Sequence, residues 1–294
     1  MNQFGWVYNP REVSRIMGTL PRPLFASAAA GIRGSGEGKT VLLSEAVRAV
    51  VGKDIPYPAQ EIGCCVSRGF AGGTDILACV EIAIDKQAEE FKETSHEAIY
   101  GLAREIGNFL QPPGPRGDGA VGAWAAKAVQ QHGTISREIV GPYSDRRAGE
   151  WGWKGVPPDI KAKIKNKVRT VSLVQTYEEA RDSIANGYPV AVCSDQGFSM
   201  TRDPDGFCRP EGSWAHCMLF MGIRHDKPAL LCMNSWGMDN PRGPMALGQP
   251  SNTFWVEART ADRMLRQGDS WALCDFDGYA ARELPDSWSY SRYI

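Results

Sequence analysis

The order in which helical and strand-like patterns follow one another most constrains the fold of this 294-residue chain. Behind Cys65, small and apolar residues recur at helical spacing, and Gly63 permits a tight turn just before them. The members of this stripe are Val66, Phe70, Gly73, Leu77, Val80 and Ile84. Further helices are predicted over His96–Leu110 and Val121–Gln131, and Thr176 starts a capping box for a short helix ending at residue 186. The front half is therefore expected to be mainly helical.

Beyond residue 187 the pattern changes to short apolar runs that are typical of strands. The predicted strands are Pro189–Cys193, His216–Ile223, Ala229–Met233, Phe254–Ala258 and Trp271–Phe276, with a brief helical turn at Arg263–Arg266. Residues 141–170 are expected to form a loop with a solvated basic stretch. This arrangement predicts an α+β protein whose helical and strand-rich lobes meet at a cleft.

The glycine-rich stretch from Gly34 to Thr40 invites comparison with a phosphate-binding loop. That motif needs a glycine, four residues and then Gly-Lys-Ser/Thr. Position 33 is arginine and no buried strand precedes it. We therefore interpret the stretch as a flexible loop with Lys39 in solvent.

Composition and charge exclude several classes of function. The net charge of −1 gives no reason to expect nucleic acid or an anionic membrane as the main partner. Apolar runs fall short of the about 20 residues that span a bilayer, and the N-terminus lacks the pattern of a signal peptide. The eight cysteines include no C-x-x-C pair. We expect reduced thiols in a cytoplasmic setting, with no metal and no cofactor.

Three residue types in a particular order suggest a thiol hydrolase. Cys65 is followed 151 residues later by His216, at the start of an apolar run, and then by Asn234. A thiol attacks carbonyls as the thiolate, which an imidazole can generate if a third group fixes its tautomer. Each residue also has an alternative interpretation. Cys65 could be a buried structural cysteine, or Cys64 could be the nucleophile in its place. His216 could be a histidine of the core, and Asn234 could simply belong to an Asn-Ser turn. The order of the three residues favours catalysis.

The stretch around Cys65 resembles the papain family of cysteine peptidases. That family has Cys-Gly-Ser/Ala-Cys-Trp/Tyr, with His and Asn about 130–150 residues downstream. Here Gly63-Cys64-Cys65 keeps the Gly-x-Cys core, while Val66 replaces the aromatic residue and Ile62 the first cysteine. The segment Asn234-Ser235-Trp236-Gly237 is the most specific match. The resemblance covers roughly residues 55–280 and is nearest to divergent bacterial or phage-encoded members.

The resemblance implies a role for each site residue. Cys65 would be the nucleophile, His216 the base and later the acid, and Asn234 the group that orients the imidazole. Trp236 would shield the His–Asn hydrogen bond from water. Gln60 would offer its side-chain amide to the oxyanion, although it stands one residue closer to Cys65 than in the family.

The resemblance also implies a papain-like two-lobed fold, with a helical lobe over about 60–140, a strand-rich, antiparallel β-barrel-like lobe over about 170–280, and the active-site cleft between them. The peptidase domain is expected over residues 55–284. Residues 1–54 would form an extended, Pro-rich N-terminal extension that regulates access to the cleft or anchors a partner. Residues 285–294 would be a C-terminal tail.

Other functions use the same residues. A cell-wall or isopeptide amidase would apply the same triad to another amide. A transglutaminase-like enzyme normally has Asp as the third residue, which argues against it. A catalytically silent, virion-associated assembly component would use the N-terminal extension, the Trp151-Gly152-Trp153 loop or the aromatic tail Trp288–Tyr293 to contact partners. The expected partner of an active enzyme is a polypeptide or peptide-like substrate.

Overall fold

The computed structural model describes residues 4–85, 90–114 and 117–289. Its front half is mainly helical, as the sequence predicts. The helices are α1 (Pro10–Met17), α2 (Phe25–Ala28), α3 (Ser44–Val51), α4 (Cys65–Asp85), α5 (His96–Ile106), α6 (Gly122–Gln131), α7 (Arg137–Val140), α8 (Asp145–Lys154), α9 (Pro158–Lys161), α10 (Tyr177–Ala185) and α11 (Ala258–Leu265).

The back half supplies most of an antiparallel sheet in the order β2-β7-β3-β4-β5-β6, with β1 joined to β4. The strands are β1 (Val41–Leu42), β2 (Thr170–Leu173), β3 (Val190–Arg202), β4 (Cys208–Arg224), β5 (Ala229–Met233), β6 (Thr253–Glu257) and β7 (Trp271–Cys274). Strands β3 and β4 are far longer than predicted, because their distant ends pair with each other after several register shifts. Those ends are mostly polar, so they lack the apolar runs by which the sequence analysis identified strands.

Helix α4 packs unusually close to the sheet along a stripe of glycines. A Cβ atom at Gly69 would lie 3.0 Å from Cys217 Sγ, and one at Gly73 would lie 2.5 Å from Leu273 Cδ1. These glycines are one helical turn apart and therefore share one face. The absence of side chains lets the axis of α4 approach β4, which carries His216. The helix begins at Cys65, so this packing brings the thiol beneath the histidine strand.

Two stretches differ from the sequence prediction. Residues 141–170 are not a loop, since they contain α8 and α9. The Ser144 side chain accepts a hydrogen bond from Arg147 N at 3.1 Å and starts α8, whose Trp151 packs beside Gly101 in the core. Residues 4–54, the described part of the predicted N-terminal extension, are not extended throughout either, because they contain α1, α2, α3 and β1. Helix α1 begins at Pro10, whose fixed backbone angle suits the first turn, and the Asn9 side chain caps it by accepting a hydrogen bond from the Glu12 N–H.

The glycine-rich residues 34–40 are tied to the helical part of the second lobe. The N–H groups of Gly34 and Gly36 donate to the two carboxylate oxygens of Asp182 at 2.6 and 3.0 Å. The stretch is therefore held in place rather than free, which corrects the prediction of a flexible loop. Lys39 is exposed as predicted.

The cysteines behave as small buried side chains. All eight are buried and carry free thiols. Trp151 and Trp288 are also buried and pack in the core, whereas Trp153 is 45% exposed, so a partner contact through this stretch stays a prediction. Residues 290–293 of the predicted aromatic tail lie outside the described residues. Among the helices of the described residues, none has both the length and the apolar character to cross a membrane.

Asp269 joins the N-terminal segment, α6 and the sheet through one buried carboxylate. It accepts hydrogen bonds from Trp6 Nε1 at 2.8 Å and Trp271 Nε1 at 2.9 Å. It also accepts from the N–H groups of Gly122 and Ala123, at the start of α6, at 2.7 and 2.8 Å. Four donors, three of them from distant parts of the chain, therefore depend on this side chain.

We expect Asp269→Ala to lower the free energy of unfolding by at least about 4 kcal/mol, since each unsatisfied buried donor costs about 1–3 kcal/mol. Urea unfolding measures the change. Asp277→Ala is the control, because that aspartate forms an ion pair with Arg22 with its side chain 85% exposed and should leave the free energy of unfolding nearly unchanged. Similar losses for the two variants would contradict the role of Asp269.

Candidate active site

Cys65 is fully buried at the first residue of α4, where the sequence predicts it. Backbone N–H groups surround its sulfur, from Val66 in its own helix and from Cys217 in β4. A third N–H, from Gly5, reaches it from the N-terminal segment. Backbone donors at a helix start stabilise negative charge, which suits a thiolate.

His216 and Asn234 form the predicted pair. His216 lies in β4, Asn234 follows β5, and His216 Nε2 lies 2.9 Å from Asn234 Oδ1. The same Oδ1 accepts the Ser235 N–H at 2.8 Å, which identifies this atom as the oxygen. His216 Nε2 therefore donates, and in the neutral ring the proton is absent from Nδ1. Among the described residues His216 Nδ1 has no hydrogen-bond partner, so its lone pair is available as a base.

Aromatic rings enclose this histidine. Trp236 stacks on the imidazole with ring centroids 4.7 Å apart, while Trp214 and Phe4 meet its ring at 6.3 Å. His216 has no exposed surface. Trp236 thus lies where the sequence analysis predicts a shield for the His–Asn hydrogen bond, and a shielded hydrogen bond is stronger than a solvated one.

Burial favours the neutral forms of both groups in this closed site. It raises the pKa of the Cys65 thiol to about 12, and the neighbouring Cys217 thiol acts in the same direction. It also lowers the pKa of His216 to about 4, although the hydrogen bond to Asn234 opposes this change. The closed site therefore holds a thiol and a neutral imidazole.

Gln60 lies against the Asn234–Trp236 turn. Its Nε2 donates to Ile62 O at 3.0 Å, and its Oε1 accepts from the Ser235 hydroxyl. Its backbone N–H donates to Ser235 O at 3.1 Å. These contacts fix Gln60 relative to the orienting Asn234. Its role at the oxyanion stays a prediction.

Residues Phe4–Val7, the N-terminal strap, cross the site and connect its two sides. The N–H groups of Gly5 and Trp6 donate to Ala215 O, beside His216, at 3.1 and 3.2 Å. On the opposite side Gly5 O accepts from Ala120 N at 2.9 Å. A Cβ atom on Gly5 would lie only 2.0 Å from Gly63 O, so this crossing requires glycine. The sequence analysis missed the strap, because nothing in four residues indicates what they cover.

Cys64 points away from His216 into the helical lobe, as the sequence analysis expects. Its Sγ donates to Asp145 Oδ1 at 3.4 Å. His96, interpreted from sequence as part of a polar stretch, is instead 2% exposed and lies in the same cluster. The atoms of Cys64, His96 and Asp145 that can bind a metal all lie within 4.8 Å of one another. The sequence analysis missed this cluster because its members are far apart along the chain.

No family model and no curated protein sequence matches the chain. Solved structures match over most of its length. Xylellain, a cysteine protease from Xylella fastidiosa, has a TM-score of 0.59 at 17% identity, with coverage of 93% of this chain and 92% of its own. ProCathepsin B from Trypanosoma congolense has a TM-score of 0.57 at 8% identity, with coverage of 92% and 85%. The chain has the papain-like fold.

A third match concerns a ligand complex. The Carica candamarcensis cysteine protease CMS1MS2, solved with E-64, has a TM-score of 0.50 at 18% identity, covering 80% of this chain and 98% of that one. The papain-like fold and the two-lobed α+β architecture predicted from sequence are thus confirmed. Because the match to xylellain covers 93% of the chain, it extends into residues 1–54. The domain boundaries at residues 54 and 284 stay predictions.

Proposed function

We propose that this papain-like chain is a cysteine peptidase with Cys65, His216 and Asn234 as its catalytic residues. The hydrogen bond from His216 Nε2 to Asn234 Oδ1 carries the proposal, because it leaves the basic nitrogen Nδ1 unpaired on the strand that also contacts Cys65. A histidine that only stabilised the core would be expected to satisfy both ring nitrogens. The imidazole is held in the tautomer that a thiol hydrolase needs.

The reaction follows from this arrangement. His216 Nδ1 accepts the thiol proton as Cys65 Sγ attacks the substrate carbonyl, and it returns that proton to the leaving amine. The Cys65 N–H, at the helix start, and the Gln60 side-chain amide would stabilise the oxyanion. Water then attacks the thioester, with His216 again acting as base. Asn234 keeps the ring oriented through both steps.

The substrate class is a polypeptide or peptide-like amide. The cleft already holds an extended piece of chain, the strap, through backbone groups of Ala120 and Ala215 on its two sides. Main-chain hydrogen bonding of this kind accepts many sequences. The structural relative from Carica candamarcensis binds E-64, which supports thiol-directed inhibitors as probes.

Labelling with an epoxysuccinyl inhibitor of the E-64 type, with the adduct mapped by mass spectrometry, tests the proposal. We expect one adduct, on Cys65, formed at neutral pH and lost in His216→Ala. His132→Ala is the matched control, because that histidine lies at the end of α6 and should leave labelling unchanged. Equal, slow labelling of several cysteines in all three proteins would contradict an activated Cys65.

A further inference from the structure

Cys64, His96 and Asp145 occupy the starts of three different helices. Cys64 immediately precedes α4, His96 is the first residue of α5, and Asp145 is the first residue of α8. All three are at most 5% exposed. The positive ends of helix dipoles favour the Asp145 carboxylate, whereas burial and that carboxylate raise the pKa of the Cys64 thiol, so an ion would have to displace the thiol proton.

The distances between donor atoms fit a tetrahedral ion. The ligand atoms of a tetrahedral zinc ion lie about 3.3–3.6 Å apart, given bonds of about 2.0–2.3 Å. Here Cys64 Sγ lies 3.4 Å and His96 Nε2 lies 3.8 Å from Asp145 Oδ1. The third pair, Cys64 Sγ and His96 Nε2, lies within 4.8 Å, so these two side chains would have to approach each other by up to about 1 Å to bind one ion.

An unpaired buried nitrogen points to a ligand independently of the cluster itself. His96 is 2% exposed, and its Nε2 has no hydrogen-bond partner among the described residues. An unsatisfied buried polar atom costs about 1–3 kcal/mol. Its other nitrogen, Nδ1, accepts a hydrogen bond from Arg137 Nη2 at 2.8 Å, which leaves the proton of the neutral ring on Nε2, and it also lies 3.2 Å from Glu97 Oε2. Moving that proton to Nδ1, where Glu97 can accept it, would free Nε2 for an ion and give the carboxylate–histidine arrangement that orients metal-binding histidines.

The remaining neighbours can complete the site. Tyr143 stacks on the His96 ring at 4.7 Å, and its hydroxyl donates to Asp145 Oδ1. Its oxygen therefore lies beside the donor atoms, where a fourth ligand is needed. The Arg68 guanidinium donates to Tyr143 Oη and Pro58 O, and Arg137 Nη2 lies 2.8 Å from His96 Nδ1. Arg137 also pairs with Glu93 and Glu97, which balance its charge.

We propose that Cys64, His96 and Asp145 form a structural binding site for a divalent cation such as Zn²⁺. When the ion binds, the thiol proton of Cys64 leaves to solvent and a metal–sulfur bond takes its place. The ion would join the starts of α4, α5 and α8 and thereby fix the loop that leads into Cys65. It would not touch the reacting atoms, because Cys64 points away from His216.

Titration of the reduced, EDTA-treated full chain with Co²⁺ tests the proposal through absorption. We expect binding of one ion with a thiolate-to-cobalt charge-transfer band, absent in Cys64→Ser. Cys65→Ser should keep the band, which excludes binding by the thiols of the active site. Cys79→Ser, in the same helix, is the matched control. No stoichiometric band, or a band that survives Cys64→Ser, would overturn the site.

A second measurement covers the case in which Cys64→Ser fails to fold. We expect Zn²⁺ to raise the melting temperature of the unchanged chain, since a ligand that binds only the folded state stabilises it. The increase should disappear in His96→Gln and in Asp145→Asn, and persist in His132→Gln. If Zn²⁺ raised the melting temperature equally in the unchanged chain and in all three variants, the ion would bind elsewhere and the proposal would be overturned.

Discussion

Cys65→Ala is expected to lower peptide hydrolysis by about 10⁴-fold or more, because the thioester cannot form without the sulfur. Loss of the nucleophile of a comparable triad costs on the order of 10⁶ in kcat. The adjacent thiol cannot substitute, since Cys64 Sγ is directed to Asp145 on the other side of the helix start. Turnover of a fluorogenic peptide mixture, with mass spectrometry to detect the acyl-enzyme, measures the effect.

The control for this variant is Cys79→Ala, which removes a buried thiol from the same helix α4. It should keep both turnover and the acyl-enzyme. Peptide cleavage that persists in Cys65→Ala would refute the mechanism. If neither the unchanged chain nor the chain that lacks residues 1–5 cleaves peptide, the catalytically silent assembly component would be favoured instead.

Removal of residues 1–5 is expected to raise the rate of Cys65 alkylation by about 10- to 100-fold. The strap contacts the thiol through the Gly5 N–H and blocks its approach. The truncation removes the hydrogen bonds from Gly5 N to Ala215 O and from Ala120 N to Gly5 O. Two backbone hydrogen bonds at about 1 kcal/mol each correspond to a change of that size. Trp6 stays, with its hydrogen bond to Asp269.

The measurement is the second-order rate of iodoacetamide labelling at Cys65, followed by peptide mapping. A shorter truncation that removes only residues 1–3 keeps Phe4 and Gly5 and is the matched control. It should label at the rate of the unchanged chain. Identical rates for both truncations would show that the strap does not limit access, and the proposed regulation by residues 1–54 would fail.

The sequence was sufficient for the elements that local patterns determine. The stripe behind Cys65 correctly predicts α4, and the apolar run after His216 correctly predicts the C-terminal half of β4. The separation of Cys64 from Cys65 also follows locally, because consecutive residues at a helix start point in different directions. The papain-like fold was predictable from the residues around Cys65 and Asn234, although no family model matches the chain.

Contacts between distant segments could not be predicted. The distal half of β3 is a strand because it pairs with β4, and its own mostly polar sequence lacks the apolar run by which the other strands were predicted. The strap covers Cys65 through backbone atoms of Gly5 and Ala215, which carry no sequence signal. The Cys64, His96 and Asp145 cluster likewise needs three helix starts to converge, and their spacing matches no known short motif.

The strap has a consequence for any kinetic study of this chain. A tethered cover competes with substrate at an effective concentration in the millimolar range, whatever the substrate is. Only molecules with an open cleft can bind, so each apparent affinity is reduced by the same open fraction. Two unrelated peptides would thus show KM values inflated by one common factor. The ratio of the two KM values would still report the selectivity of the cleft. The absolute KM values would report mainly the fraction of molecules in which Gly5 has left the cleft.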